Sequence, residues 1–83
     1  MDYTPNALWD KCLLLIKENV SEQQYNAWFR PIAFESFHEA GRTLILQVPS
    51  NFFVEYLEEN YVGLLTKLLT KYFGPNIRLN YRI

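Results

Sequence analysis

Apolar residues recur along this chain at two rhythms, one helical and one of strict alternation, and the switch between them marks the elements. At about 100° per residue, Leu8, Trp9, Cys12, Leu13, Leu15 and Ile16 share one broad arc, with Trp9 and Leu13 toward its margin and Leu14 well outside it. Thr4-Pro5 supplies a start signal, because the Thr hydroxyl can accept from an orphan N–H and proline suits the first helical position. A first helix is predicted from Pro5 to Asn19. Ser21 and Gln24 then have capping-box spacing, and Val20 and Tyr25 have hydrophobic-staple spacing, so a second helix begins at Ser21. Pro31 keeps it short, and Tyr25, Trp28 and Phe29 form its expected inward face.

Ile32 to Phe37 and Thr43 to Val48 suit strands joined through a short connection containing Gly41, which predicts an antiparallel hairpin. Pro49 stops the second strand and Ser50 can cap a third helix. Phe53, Leu57, Tyr61, Leu64, Leu68 and Tyr72 keep helical spacing over about six turns, predicting that this third helix is one long element ending at Gly74-Pro75. Ile77, Leu79, Tyr81 and Ile83 alternate with Arg78, Asn80 and Arg82, the pattern of a strand with one buried face. The expected fold is α+β in the order α-α-β-β-α-β, with a three-stranded sheet and helices packed on one face. Residues 1–83 read as one domain without repeats or linkers, and the final strand reads as complete, as in a domain that belongs to a longer protein.

Composition narrows the function. Nearly half of the 83 residues are apolar and 17% are aromatic, enough for a core without disulfides or metal. The single Cys12 has no partner for an intramolecular bridge, and no metal-ligand spacing appears, so neither metal nor cofactor is expected. With no basic leader followed by an apolar stretch, and no run near the roughly 20 apolar residues of a membrane span, a cytoplasmic location is expected. A net charge of −1 argues against strong nonspecific DNA binding.

No catalytic constellation emerges. Cys12 lies on an apolar arc and His38 at the hairpin tip, without the neighbouring base that a nucleophile needs. Glu55, Glu58 and Glu59, followed by Lys67 and Lys71, complement a helix dipole and read as a solvated face. Arg78 and Arg82 share a strand face and admit two readings, protection of a sheet edge or weak contact with single-stranded nucleic acid. The G-x-x-G clamp of KH modules is absent, since the glycines are Gly41, Gly63 and Gly74. Phe52 points away from the inward face of the third helix, either covered by the capping turn or exposed as a partner anchor. Trp9, with Leu13 and Leu14 beside it, is either core or part of an outward apolar patch. The working expectation is that Trp9 and Phe52 both face water.

Leu8-Trp9, Cys12-Leu13, Tyr25, Trp28-Phe29-Arg30-Pro31-Ile32, Pro49-Ser50-Asn51-Phe52 and Asn60-Tyr61, taken together, resemble the N-terminal domain of the bacterial replication initiator DnaA. The resemblance runs from about Leu8 through the last strand. It implies a KH-like α/β fold and a protein-interaction role without enzymatic activity: self-association at the origin, and recruitment of the replicative helicase or of regulatory proteins. DNA recognition in that family belongs mainly to other domains, although weak single-strand contact has been associated with this one. Carried over residue by residue, the resemblance assigns self-association to the first helix around Trp9, with Leu13 and Leu14 adjoining, and helicase contact to Phe52. The acidic helicase-contacting position of the family's second helix is matched by Gln24, which keeps hydrogen bonding but loses the charge that tunes association rate and partner choice. Tyr25 stands where the family usually has Phe.

Overall fold

The computed structural model describes residues 4–83. Helix α1 spans Pro5–Asn19, with Thr4 as its N-cap accepting from the Ala7 N–H and Pro5 at its first position. Its inward arc is the expected one at Cys12 and Ile16, both fully buried. Trp9 departs from expectation: it is 1% exposed and belongs to the core, whereas Leu13 is half-buried and Leu14 is 66% exposed. A buried indole withdraws roughly 150–250 Å² from water, about 4–6 kcal/mol, which exceeds the ~1–3 kcal/mol cost of an unpaired polar group. That difference accounts for Trp9 lying inside although its Nε1 finds no hydrogen-bond partner.

Helix α2, Glu22–Gln24, opens with the expected capping box. The Ser21 hydroxyl accepts from the Gln24 N–H at 3.1 Å, and Gln24 Oε1 accepts from the Ser21 N–H at 2.9 Å. It runs directly into a π-helical turn over Tyr25–Phe29, closed by the Arg30 N–H donating to the Tyr25 carbonyl at 2.9 Å. The wider turn redistributes the aromatic face expected of a regular helix. Only Phe29 is fully buried, while Tyr25 and Trp28 remain partly exposed.

Strands β1 (Ala33–His38) and β2 (Thr43–Gln47) form the expected antiparallel hairpin, with a register irregularity between Phe34 and Ser36. The positive φ of the connection falls on Arg42, at 47°, and not on Gly41. The expected long third helix is two helices, α3 (Asn51–Asn60) and α4 (Val62–Phe73), separated at Tyr61, whose ψ of 5° is not helical. Tyr61 is buried at the break and meets Phe29 edge-on at 4.9 Å, so one side chain anchors the joint to the turn below it. Beyond the break the inward stripe shifts by one residue: Leu65, Leu68, Leu69 and Phe73 are buried, while Leu64 and Tyr72 are partly exposed. Ser50 occupies the N-cap position of α3 without a side-chain cap bond, its carbonyl accepting instead from the Phe53 N–H.

Gly74, at φ 92°, ends α4. The Arg42 guanidinium donates to the carbonyls of Phe73 and Pro75, placing a cation at the negative end of the helix. Strand β3 (Arg78–Arg82) then lies parallel to β2, giving the sheet order β1-β2-β3. Leu44, Leu46, Leu79 and Tyr81 turn toward the helices, and Arg78, Asn80 and Arg82 face outward. The architecture is α+β, in the order α-α-β-β-α-α-β. Among the described residues, no helix is long and apolar enough to cross a membrane.

Candidate functional site

The break at Tyr61 sets α3 as a separate, short helix beside the π-helical turn, and rings from both elements meet there. Trp28 stacks on Tyr56 with centroids 3.6 Å apart and planes 6° from parallel, and meets Phe53 edge-on at 5.1 Å. Phe52 lies 5.8 Å from Trp28 and 6.4 Å from Tyr56, yet stays 62% exposed. The capping turn therefore does not cover it. A ring held by two neighbours but open to water loses little freedom when a partner covers it, which is the physical profile of an interface anchor.

Gln24 lies one turn before Trp28 and is exposed. Its carbonyl oxygen is committed to the Ser21 N–H, so the amide group that remains toward solvent is a donor. The structure thus brings Phe52 to the Trp28 ring and leaves Gln24 on the same helical segment. The capping-box spacing was legible in the sequence. The roles of Trp28 and Tyr56 as a platform were not, because periodicity assigned Trp28 to the core and left Tyr56 unremarked.

On α1 the expected patch is only partly present. Leu14 is exposed and Leu13 half-buried, while Trp9 is buried in the core and offers no ring to a partner. Cys12 is also sealed. Burial pushes its thiol up to about 12, against a smaller opposing effect of its own backbone hydrogen bond, and Sγ lies 3.8 Å from the Leu68 carbonyl. It is a packing residue. His38 is exposed at the end of β1, 3.4 Å from the Ser36 hydroxyl.

Arg78 and Arg82 both face outward from β3. Arg82 Nε lies 3.3 Å from a Glu35 carboxylate oxygen, so one of the two cations already has an acidic neighbour. Few counterion-release contacts remain on this face. On the other side of β3, Tyr81 is pushed up to about 12, mainly by burial and further by the Glu58 carboxylate.

The described residues form a small α+β module that carries an exposed aromatic platform of Phe52, Trp28 and Tyr56. Its family is specific: residues 6–71 match the DnaA N-terminal domain, and the chain belongs to that family. It is 48% identical over its whole length to the chromosomal replication initiator protein DnaA of Flavobacterium psychrophilum, of which it covers 17%. It is 47% identical over 92% of its length to the same-named protein of Bacteroides thetaiotaomicron, covering 16% of it. The corresponding figure for Chlorobaculum tepidum is 41%, covering 15%. The chain spans about a sixth of the length of these curated relatives.

Proposed function

We propose that this chain is the protein-interaction domain of a chromosomal replication initiator, and that the platform of Phe52, Trp28 and Tyr56 docks the replicative helicase or regulators of initiation. The observation that carries this reading is the exposure of Phe52 on a fixed aromatic stack. Gln24 adds a neutral donor at the rim where relatives of the family place a carboxylate, which favours a partner offering an acceptor over one offering only a cation. Self-association belongs to α1 in this reading. Leu14 and the exposed edge of Leu13 make the contact, while Trp9 supports the helix from the core.

Each anchor contributes about 1–4 kcal/mol, so single copies hold a partner weakly and several copies assembled at an origin hold it through avidity. Amide shifts recorded on adding the N-terminal region of the replicative helicase test the first surface. The expected shifts centre on Phe52 and Gln24 and fall away in Phe52→Ala. Equal shifts in both proteins exclude the platform. Sedimentation of Leu14→Lys tests the second, with loss of weak self-association expected and unchanged association counting against α1.

A further inference from the structure

Strand β3 leaves one edge of the sheet open among the described residues. The Arg78 N–H donates to the Arg42 carbonyl and the Arg82 carbonyl accepts from the Val48 N–H, both at 2.8 Å, so the main-chain groups of these residues turn toward β2. Successive residues of a strand direct their main-chain groups to opposite edges, which leaves those of Leu79 and Tyr81 on the open side. The side chains of the same two residues line a groove of about 400 Å³, completed by Ile77, by Val62, Leu65, Thr66 and Leu69 of α4, and by Glu58 at the end of the groove where it acts on Tyr81. An unpaired ladder and a largely apolar trough with one carboxylate at its rim therefore run side by side.

We propose that this edge accepts an extended segment of another protein by strand addition, and that the segment alternates carboxylate with apolar side chains. Residues beside Leu79 and Tyr81 drop into the groove, where Leu65, Leu69, Ile77 and Leu79 favour apolar side chains and Glu58 disfavours acidic ones. Residues beside Arg78, Asn80 and Arg82 share the outward face, where Arg82 already lies 3.3 Å from Glu35 and Arg78, for which the described residues show no ion pair, selects an acidic side chain. A second copy of the chain fits badly. Antiparallel pairing of two β3 strands about Asn80 sets Arg78 of each copy against Arg82 of the other, and like charges directly opposite destabilise a sheet. A nucleic acid would meet the arginines yet leave the groove and the carbonyls of Leu79 and Tyr81 unused. This site is separate from the platform around Phe52.

The test titrates the 83-residue chain with two capped synthetic peptides of about eight residues, a usual strand length, one alternating Glu with Val and one alternating Lys with Val. With the Glu–Val peptide, the amides of Leu79 and Tyr81 are expected to shift and to exchange more slowly with solvent. Arg78→Glu is expected to weaken that binding about three- to tenfold and to improve binding of the Lys–Val peptide. Val62→Asp, at an exposed first position of α4 where negative charge suits the helix, adds a second carboxylate to the one Glu58 already gives the groove and weakens the Glu–Val peptide further without unfolding the chain. Absence of shifts at millimolar peptide, equal binding of both peptides, or shifts confined to the Phe52 platform each overturn the proposal. So do concentration-dependent shifts at β3 without peptide, which identify a second copy, and a stronger response of the same amides to oligothymidylate.

Discussion

Trp9 and Phe52 are both large rings near the start of a helix, and they have opposite fates. Trp9 is enclosed at 1% exposure, whereas Phe52 rests on Trp28 and Tyr56 at 62%. Substitution should separate them on two axes. Trp9→Ala is expected to cost about 3–5 kcal/mol in urea unfolding, the usual range for emptying a core aromatic site. Trp9→Phe should cost much less, because it keeps a ring and removes the unpaired Nε1–H. Phe52→Ala should change stability by no more than about 0.5 kcal/mol, as is usual for surface positions, while removing partner contact. A large stability loss in Phe52→Ala would place its ring in the fold and not in the docking surface. The sequence could not tell these two rings apart, since a helical wheel places a residue on an arc but not beneath a neighbouring element. Trp9 lies at the margin of its arc, yet it is buried in a fold where α1 packs against both β1 and α4.

Among the elements, local chemistry was legible at three points, though not at Ser50, whose side chain makes no cap bond. The Thr4 cap, the Ser21–Gln24 box and the Gly74 stop each depend on residues within a few positions of one another, and all stand where the sequence puts them. The break at Tyr61 and the π-helical turn depend on tertiary fit. Apolar spacing remains nearly continuous from Leu57 through Tyr61 to Leu65, so nothing in the periodicity announces that two helices share it. The parallel pairing of β3 with β2 is likewise invisible in alternation, which reports a buried face but not a neighbour. Gly63 within α4 and Gly74 just past its end test the element scale directly. At Gly74 a Cβ would sit 3.0 Å from Arg42 Nη2 on a backbone with φ 92°, so Gly74→Ala is expected to destabilise by about 1–2 kcal/mol through strain and loss of the Arg42 cap. At Gly63 nothing lies within 4 Å, and Gly63→Ala should stabilise by about 0.4–1 kcal/mol by restricting the unfolded chain. Paired melting curves check both, and equal effects of the two substitutions would rule out the Arg42 lock.

For the whole molecule, the absence of any buried polar or charged residue among those described shifts the question of pH sensitivity to groups that are neutral when buried. Cys12 packs between α1 and α4, with its thiol raised from 9.0 to about 12, and Tyr81 on β3 is raised from 10.0 to about 12. Burial is the main cause for both. A buried acid with a raised pKa keeps its proton in the folded state after the unfolded chain has released it, so the folded state binds more protons across that window. Stability contributed by these groups is therefore complete below about pH 9 and is lost as pH climbs from there toward about 12. The urea midpoint should stay level from neutrality to about pH 9 and then fall continuously. Alkylation of Cys12 should remain slow across the level region and quicken only as the protein unfolds, because the thiolate is the reactive form and the native site disfavours it. The Arg82–Glu35 pair gives little opposing dependence, since Arg82 is 65% exposed and exposed pairs contribute at most about 1 kcal/mol. A midpoint that declines already between pH 7 and 8, with Cys12 alkylated as fast as a free thiol, would mean that α1 does not close over α4 in solution, and the core that holds the Phe52 platform in place would have to be redrawn.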